Sequence, residues 1–179
     1  MNLETVLAKA EQLYTEHEIS DTMDEMAAEI NQQLQDKLPI CLTVMNGGLI
    51  PAGQLLPRMN FPLEMDYIHA TRYKKATTGG DLEWVKYPSI SLENRTVLVI
   101  DDILDEGLTL QAIVKYCLEA GAKEVFTAVL VEKQLEQRSG LQKADFTGLT
   151  VPNRYVFGYG MDYQGQLRYV PGIYAVHGL

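Results

Sequence analysis

The chain is poor in several features that would commit it to common roles. Its 179 residues include two cysteines, Cys41 and Cys117, with no CxxC spacing. Neither a zinc site nor a disulfide framework is therefore expected, and both read as buried thiols of a cytoplasmic protein. Basic residues are in short supply, 15 Lys and Arg against 24 Asp and Glu, for a formal net charge of -9. That balance argues against non-specific nucleic-acid binding, which needs clustered cations, and against an anionic membrane surface. Apolar runs stay far below the roughly 20 residues of a membrane-spanning helix. Met1-Asn2-Leu3-Glu4 has no basic stretch ahead of an apolar one, so no secretory signal is expected. The histidines, His17, His69 and His177, lack ligand spacing, and no serine or cysteine has an identifiable base partner. Covalent catalysis is accordingly not expected. Without repeats, low-complexity tracts or linkers, residues 1–179 read as one domain, large enough for a single core.

What is present alternates strand and helix patterns. Residues 2–17 read as a helix with Leu3, Val6, Leu7, Ala10 and Tyr14 on one face. Ser20 or Asp21 can cap a second helix carrying Met23, Met26, Ala27, Ile30 and Leu34, which Pro39 stops. Strands are expected at Ile40–Val44, Glu64–Ala70, Thr96–Ile100 and Glu124–Val131, and helices from Leu49 to about Pro57 and over Thr109–Ala120, the last capped by Gly121. Such alternation predicts an α/β protein with an open, mostly parallel sheet flanked by helices, its ligands at the carboxyl ends of the strands.

The richest segment is Val97-Leu98-Val99-Ile100-Asp101-Asp102-Ile103-Leu104-Asp105-Glu106-Gly107-Leu108-Thr109-Leu110. A continuous apolar strand runs into two carboxylates, an acidic glycine turn and a hydroxyl residue at a helix start. A strand, short loop and helix N-terminus cradle phosphate through free backbone N–H groups and the helix dipole. The two acids would oppose that anion unless they bind hydroxyls or a magnesium ion. Elsewhere, Met45-Asn46-Gly47-Gly48 follows a strand, where two glycines let backbone amides approach an anion. Arg72-Tyr73-Lys74-Lys75 opens a polar loop ending in Gly79-Gly80.

The first segment resembles the phosphoribosyl-diphosphate (PRPP) motif of the type I phosphoribosyltransferases, departing from it at Glu106, where the best-known members carry a small hydroxyl residue. A second segment, Val151-Pro152-Asn153-Arg154-Tyr155-Val156-Phe157-Gly158-Tyr159-Gly160-Met161-Asp162-Tyr163, resembles the purine-binding segment of the hypoxanthine-guanine branch. The resemblance runs from about Ile40 to Val170, weakest over residues 79–93 and 134–144. It implies the type I phosphoribosyltransferase fold with a small hood from the N- and C-terminal segments. It also implies magnesium as cofactor, a homodimer or homotetramer, and transfer of ribose 5-phosphate from PRPP to hypoxanthine or guanine, releasing pyrophosphate. The alternatives are a xanthine-preferring enzyme and a non-catalytic PRPP- or nucleotide-binding regulator on the same fold.

Residue roles follow from the resemblance. Asp101 and Asp102 would hold the ribose hydroxyls directly or through magnesium. The amides of Asp105, Glu106, Gly107, Leu108 and Thr109, with the Thr109 hydroxyl, would hold the 5′-phosphate. Asp105 would be the acid or base at purine N7. Asn46, Gly47 and Gly48 would form the pyrophosphate loop, with Asn46 replacing the usual Lys or Arg; in that family the peptide before this position can be cis. Arg72 and Tyr73 would belong to a lid, Arg72 replacing a serine. Lys133 would donate to the 6-oxo group, Tyr155 would stack on the base, and the Val156 backbone would read its edge. Asp162 would lie near the base and the metal, and Arg168 would bind pyrophosphate. A Glu106 carboxylate facing a bound phosphate about 4 Å away would cost roughly 4 kcal/mol at the effective dielectric near a protein surface. It is therefore expected to face away.

Overall fold

Thr96–Leu104 forms a nine-residue strand at the centre of the computed structural model, which describes residues 3–72 and 82–178. In chain order the elements are α1 (Leu3–Lys9), β1 (Glu11–Tyr14), α2 (Glu16–Leu34), β2 (Ile40–Met45), α3 (Leu49–Leu55), β3 (Glu64–Arg72) and β4 (Leu82–Lys86). They continue with β5 (Thr96–Leu104), α4 (Leu108–Glu119), β6 (Glu124–Lys133), β7 (Phe146–Val151), β8 (Val156–Phe157) and β9 (Ile173–Ala175). A 3-10 turn over Leu56–Arg58 follows α3.

Among the described residues the main sheet has the order β4-β3-β2-β5-β6-β7, parallel except for β4. The apolar runs of β2, β5 and β6 are explained by cover on both faces. On β5, Leu98 and Ile100 join Ile19, Met23, Met26 and Ile30 of α2, whereas Val97 and Val99 join Leu110, Ile113 and Cys117 of α4. Each fully buried aliphatic or Phe side chain of this kind stabilises the fold by roughly 1.5–3 kcal/mol. Chain order reverses between β2 and β5: the chain runs outward from β2 to β3 and β4, then returns to β5 on the other side of β2. The crevice beyond the carboxyl ends of β2 and β5 is the expected ligand position in such a sheet.

The α4 reading holds at its C-terminus. Gly121 has φ 87°, its N–H donates to Leu118 O, and the Ala122 N–H donates to Cys117 O, a Schellman cap. At its N-terminus the cap is Gly107, with φ 74° and no side-chain cap bond, so Thr109 lies inside the first turn.

The N-terminal reading is corrected. Residues 2–17 do not form one helix: α1 ends at Lys9 and residues 11–14 pair with β9, Glu11 opposite Ala175. The next helix starts at Glu16, not after Ser20 or Asp21. Thr15 Oγ1 accepts from the Glu18 N–H while Glu18 Oε2 accepts from the Thr15 N–H, a reciprocal capping box. Strand β1 joins β9 and β8 in a second, antiparallel sheet, whose own core packs Val6 against Phe157, Leu167, Val170 and Val176. This small unit, built from both ends of the chain, stands over the carboxyl ends of the main sheet: Gly160 packs on the Gly47 carbonyl, where an added Cβ would come within 2.2 Å. Among the described residues no helix is long and apolar enough to cross a membrane.

Candidate active site

Strand β2 ends at Met45, and the Met45–Asn46 peptide is cis. The following turn closes with the Gly48 N–H donating to Val44 O at 2.8 Å. Gly47 permits the closest contact here: a Cβ at this position would lie 2.0 Å from Asp102 Oδ2. Only a glycine lets that carboxylate rest against the loop backbone. At the end of β5 Asp101 and Asp102 are each 9% exposed. Burial and the adjacent Asp102 charge push Asp101 well above the usual carboxylate range. Burial raises Asp102 as well, against hydrogen bonding from Asp101 and the charge of Arg168. Hydroxyl donors or a cation would favour the ionised forms of both.

Beyond Asp102 the strand continues to Leu104 and turns through Asp105, Glu106 and Gly107 into α4. The first-turn N–H groups of a helix lack intrahelical partners, so this end offers donors to an anion. These residues, with Asn46, Gly47, Asp101, Asp102 and Arg168, line a cavity of about 640 Å³. The Glu106 carboxylate turns aside to accept from Ser139 Oγ at 3.0 Å.

A second cavity of about 260 Å³ adjoins the first, with Asp102, Ile103, Asp105 and Asp162 common to both. Lys133, the last residue of β6, reaches into it, and its Nζ donates to Asp105 Oδ2 at 2.7 Å. Tyr155, 41% exposed, lines the same space and is braced edge-on by Tyr163 at 5.5 Å between ring centroids. Its aromatic face suits a planar heterocycle. Val156 is buried at the start of β8. Arg168 lines the larger cavity beside two carboxylates that both cavities share: it donates to Gly160 O at 2.6 Å and pairs with Asp162 Oδ1 at 2.8 Å, with Asp102 Oδ2 at 3.9 Å. The site therefore has an amide-lined, anion-sized part and a smaller part with an aromatic face and a lysine.

Residues from 46 to 168 thus converge at one crevice. Of the expected lid, Arg72 ends β3, and Tyr73 lies outside the described residues. The segment 138–141, which packs directly behind the turn Asp105–Gly107, was not read as part of the site. No motif marks it, because its contacts are made largely with backbone.

Residues 9–164 match the phosphoribosyl transferase domain family. The chain belongs to that family. It is 34% identical to the hypoxanthine-guanine phosphoribosyltransferase of Bacillus subtilis, over 90% of this chain and 89% of that protein. It is 31% identical to the hypoxanthine-guanine-xanthine phosphoribosyltransferase of Tritrichomonas foetus, over 90% of this chain and 88% of that one. Its fold is similar to the crystal structure of a hypoxanthine phosphoribosyltransferase from Staphylococcus aureus, with a TM-score of 0.89 at 27% identity, covering 98% of this chain and 96% of that one. The open, mostly parallel sheet is thus the type I phosphoribosyltransferase fold.

Proposed function

We propose that this phosphoribosyltransferase serves purine salvage, transferring ribose 5-phosphate from PRPP to N9 of hypoxanthine or guanine and giving IMP or GMP and pyrophosphate. The observation that carries this reading is the Lys133–Asp105 pair, 2.7 Å apart beside the Tyr155 ring. The free 6-oxopurine that reacts at N9 presents O6 as an acceptor beside an N7–H donor, whereas adenine presents an amino donor at position 6. Lys133 matches O6, and Asp105 lies where it can exchange a proton with N7. The names of the Bacillus and Tritrichomonas relatives support the same substrate class, and the second favours including xanthine as a further substrate.

In the reaction the bond from the anomeric carbon to pyrophosphate breaks as N9 bonds to that carbon, and an N7 proton passes to Asp105. Positive charge develops on the sugar ring, and the leaving group takes the electron pair. Arg168 and the backbone amides of Asn46 and Gly47 hold that leaving group, the Gly48 N–H being given to Val44 O. Asp101 and Asp102 accept hydrogen bonds from the ribose hydroxyls. The amides from Asp105 to Thr109, with the Thr109 hydroxyl, hold the 5′-phosphate. Tyr155 stacks on the base, and backbone groups at Val156 read its edge. Arg72 and Tyr73 belong to a lid that excludes water.

The residues fit magnesium. Among the described residues no three His, Cys, Asp or Glu side chains converge as a metal cluster. Magnesium commonly takes only one or two carboxylates and completes its shell with substrate oxygens and water. One or two of the carboxylates of Asp101, Asp102 and Asp162 would hold it. When bound, it neutralises charge on the pyrophosphate leaving group. Met65, Tyr67 and Val85 are exposed on β3 and β4, which supports a homodimer or homotetramer.

The test is purified protein with PRPP, magnesium and, separately, hypoxanthine, guanine, xanthine and adenine, followed by ultraviolet absorbance. Hypoxanthine and guanine should be converted, with adenine at least ~100-fold slower. Comparable rates with adenine would remove the Lys133 argument. PRPP binding without turnover on any base would favour a regulator.

A further inference from the structure

The phosphate loop is held from behind by residues 138–141, in the connection between β6 and β7. Arg138 Nε donates to Asp105 O at 2.9 Å, the Gly140 N–H to Glu106 O at 2.9 Å, and the Leu141 N–H to Gly107 O at 3.0 Å. In a trans peptide the carbonyl of one residue and the N–H of the next point in opposite directions. Three carbonyls tied to this segment therefore turn the N–H groups of Glu106, Gly107 and Leu108 away from it, to the side where the cavity lies. The contact needs glycine on both sides. An added Cβ on Gly140 would lie 2.3 Å from the Gly107 carbonyl carbon, and one on Gly107 would lie 2.4 Å from Leu141 O.

Arg138 reaches further. Its side chain is 8% exposed and pairs with Glu132 at 3.1 Å. A second nitrogen donates to Gln142 O at 2.9 Å, and a third donates to Lys133 O. One buried guanidinium thus holds the backbone carbonyls of both Asp105 and Lys133, the two residues whose side chains meet in the smaller cavity.

We propose that residues 138–141 are a clamp that orients the phosphate-binding amides, and that Arg138 is a positioning residue setting Asp105 against Lys133. The clamp couples the phosphate and base parts of one site, and it rests on the function proposed above. Because Arg138 lines neither cavity, any effect on ligands must pass through the backbone it holds.

The experiment is Arg138→Met in the full chain. PRPP affinity is read by calorimetry without base, and hypoxanthine and adenine kinetics are read per folded enzyme. PRPP affinity should fall about tenfold and kcat/KM for hypoxanthine by ~10²-fold, the scale of a misplacement near 1 Å. The hypoxanthine-to-adenine ratio should fall as well. Arg138→Lys should restore little, since an ammonium cannot span the carbonyls that the planar fork reaches. A merely structural role would lower the unfolding midpoint and leave affinity and base ratio unchanged. Values within about twofold of wild type in folded Arg138→Met overturn the clamp. If that variant does not fold, Gly140→Ala takes its place: its methyl pushes Gly107 from behind, and unchanged PRPP affinity there overturns the proposal equally. A wild-type chain that binds PRPP but converts no base overturns the proposed reaction, while the calorimetric arms still decide the clamp. A wild-type chain that does not bind PRPP overturns both.

Discussion

Lys133 Nζ donates to Asp105 Oδ2 at 2.7 Å, joining the end of β6 to the turn that follows β5 across the smaller cavity. The pair is asymmetric in exposure, Lys133 at 12% and Asp105 at 47%. In the proposed reaction an entering purine would exchange this partly hydrated ion pair for two new contacts, one at O6 and one at N7. A half-exposed pair has modest intrinsic worth, so the exchange leaves room for discrimination by the base itself.

Asp105→Asn preserves shape and can still accept from Lys133, but it cannot exchange the proton at N7. Single-turnover formation of IMP should fall by ~10² or more. PRPP affinity should change little, because backbone amides hold the phosphate. Near-normal single-turnover rates would reduce Asp105 to a loop residue.

The parts of this site that require a residue type at fixed spacing were legible in the sequence. Asp101, Asp102, Gly107 and Thr109 lie along one strand, turn and helix, and Tyr155 and Asp162 share one short segment. The hood strand was not legible, because Glu11 finds Ala175 at the far end of the chain and local apolar periodicity runs through it as though helical. The Thr15–Glu18 capping box interrupts that pattern; polar end signals override periodicity when a long-range strand pairing competes. Arg138 was illegible for another reason. Most of its partners are carbonyl oxygens, which every residue carries.

Asp101 gives a pH test. Its folded pKa is raised by burial and by Asp102, so its contribution to stability is fully present below the unfolded value of about 3.9 and is lost as pH rises through the folded pKa. Asp101→Asn removes that loss. Without ligand, the Tm advantage of Asp101→Asn over wild type should grow from about pH 4 towards neutrality. Lowered carboxylates such as Asp66 act in both proteins and cancel in the difference. PRPP with magnesium should stabilise wild type far more than the variant. A pH-independent difference would remove the argument from burial.

Asn46 puts an uncharged side chain in the loop proposed to hold pyrophosphate. Two unit charges about 4 Å apart interact by roughly 4 kcal/mol at an effective dielectric of about 20, before side-chain ordering and salt take their share. Asn46→Lys should therefore tighten pyrophosphate binding about tenfold, about 1.4 kcal/mol, at low salt. The gain should shrink as salt rises. A gain independent of salt would point to altered loop geometry rather than charge.

The Glu106 carboxylate has a partner. Its Oε2 accepts from Ser139 Oγ at 3.0 Å, on the clamp side of the loop, while its carbonyl accepts from the Gly140 N–H. The side chain and the carbonyl are thus both engaged with residues 138–141, which leaves the backbone N–H for phosphate. Glu106→Thr removes one exposed hydrogen bond and one negative charge that is turned towards Ser139. PRPP affinity, titrated at fixed salt, should stay within about threefold of wild type, because a charge beyond hydrogen-bond reach of the anion is screened by solvent. The Gly140 N–H bond to the carbonyl survives the substitution, so the amides keep their direction. A gain of about tenfold or more, roughly 1.4 kcal/mol, would mean that the carboxylate swings towards bound phosphate and repels it. That outcome would also raise the odds of a PRPP sensor, since a site that repels its own ligand is poorly matched to turnover.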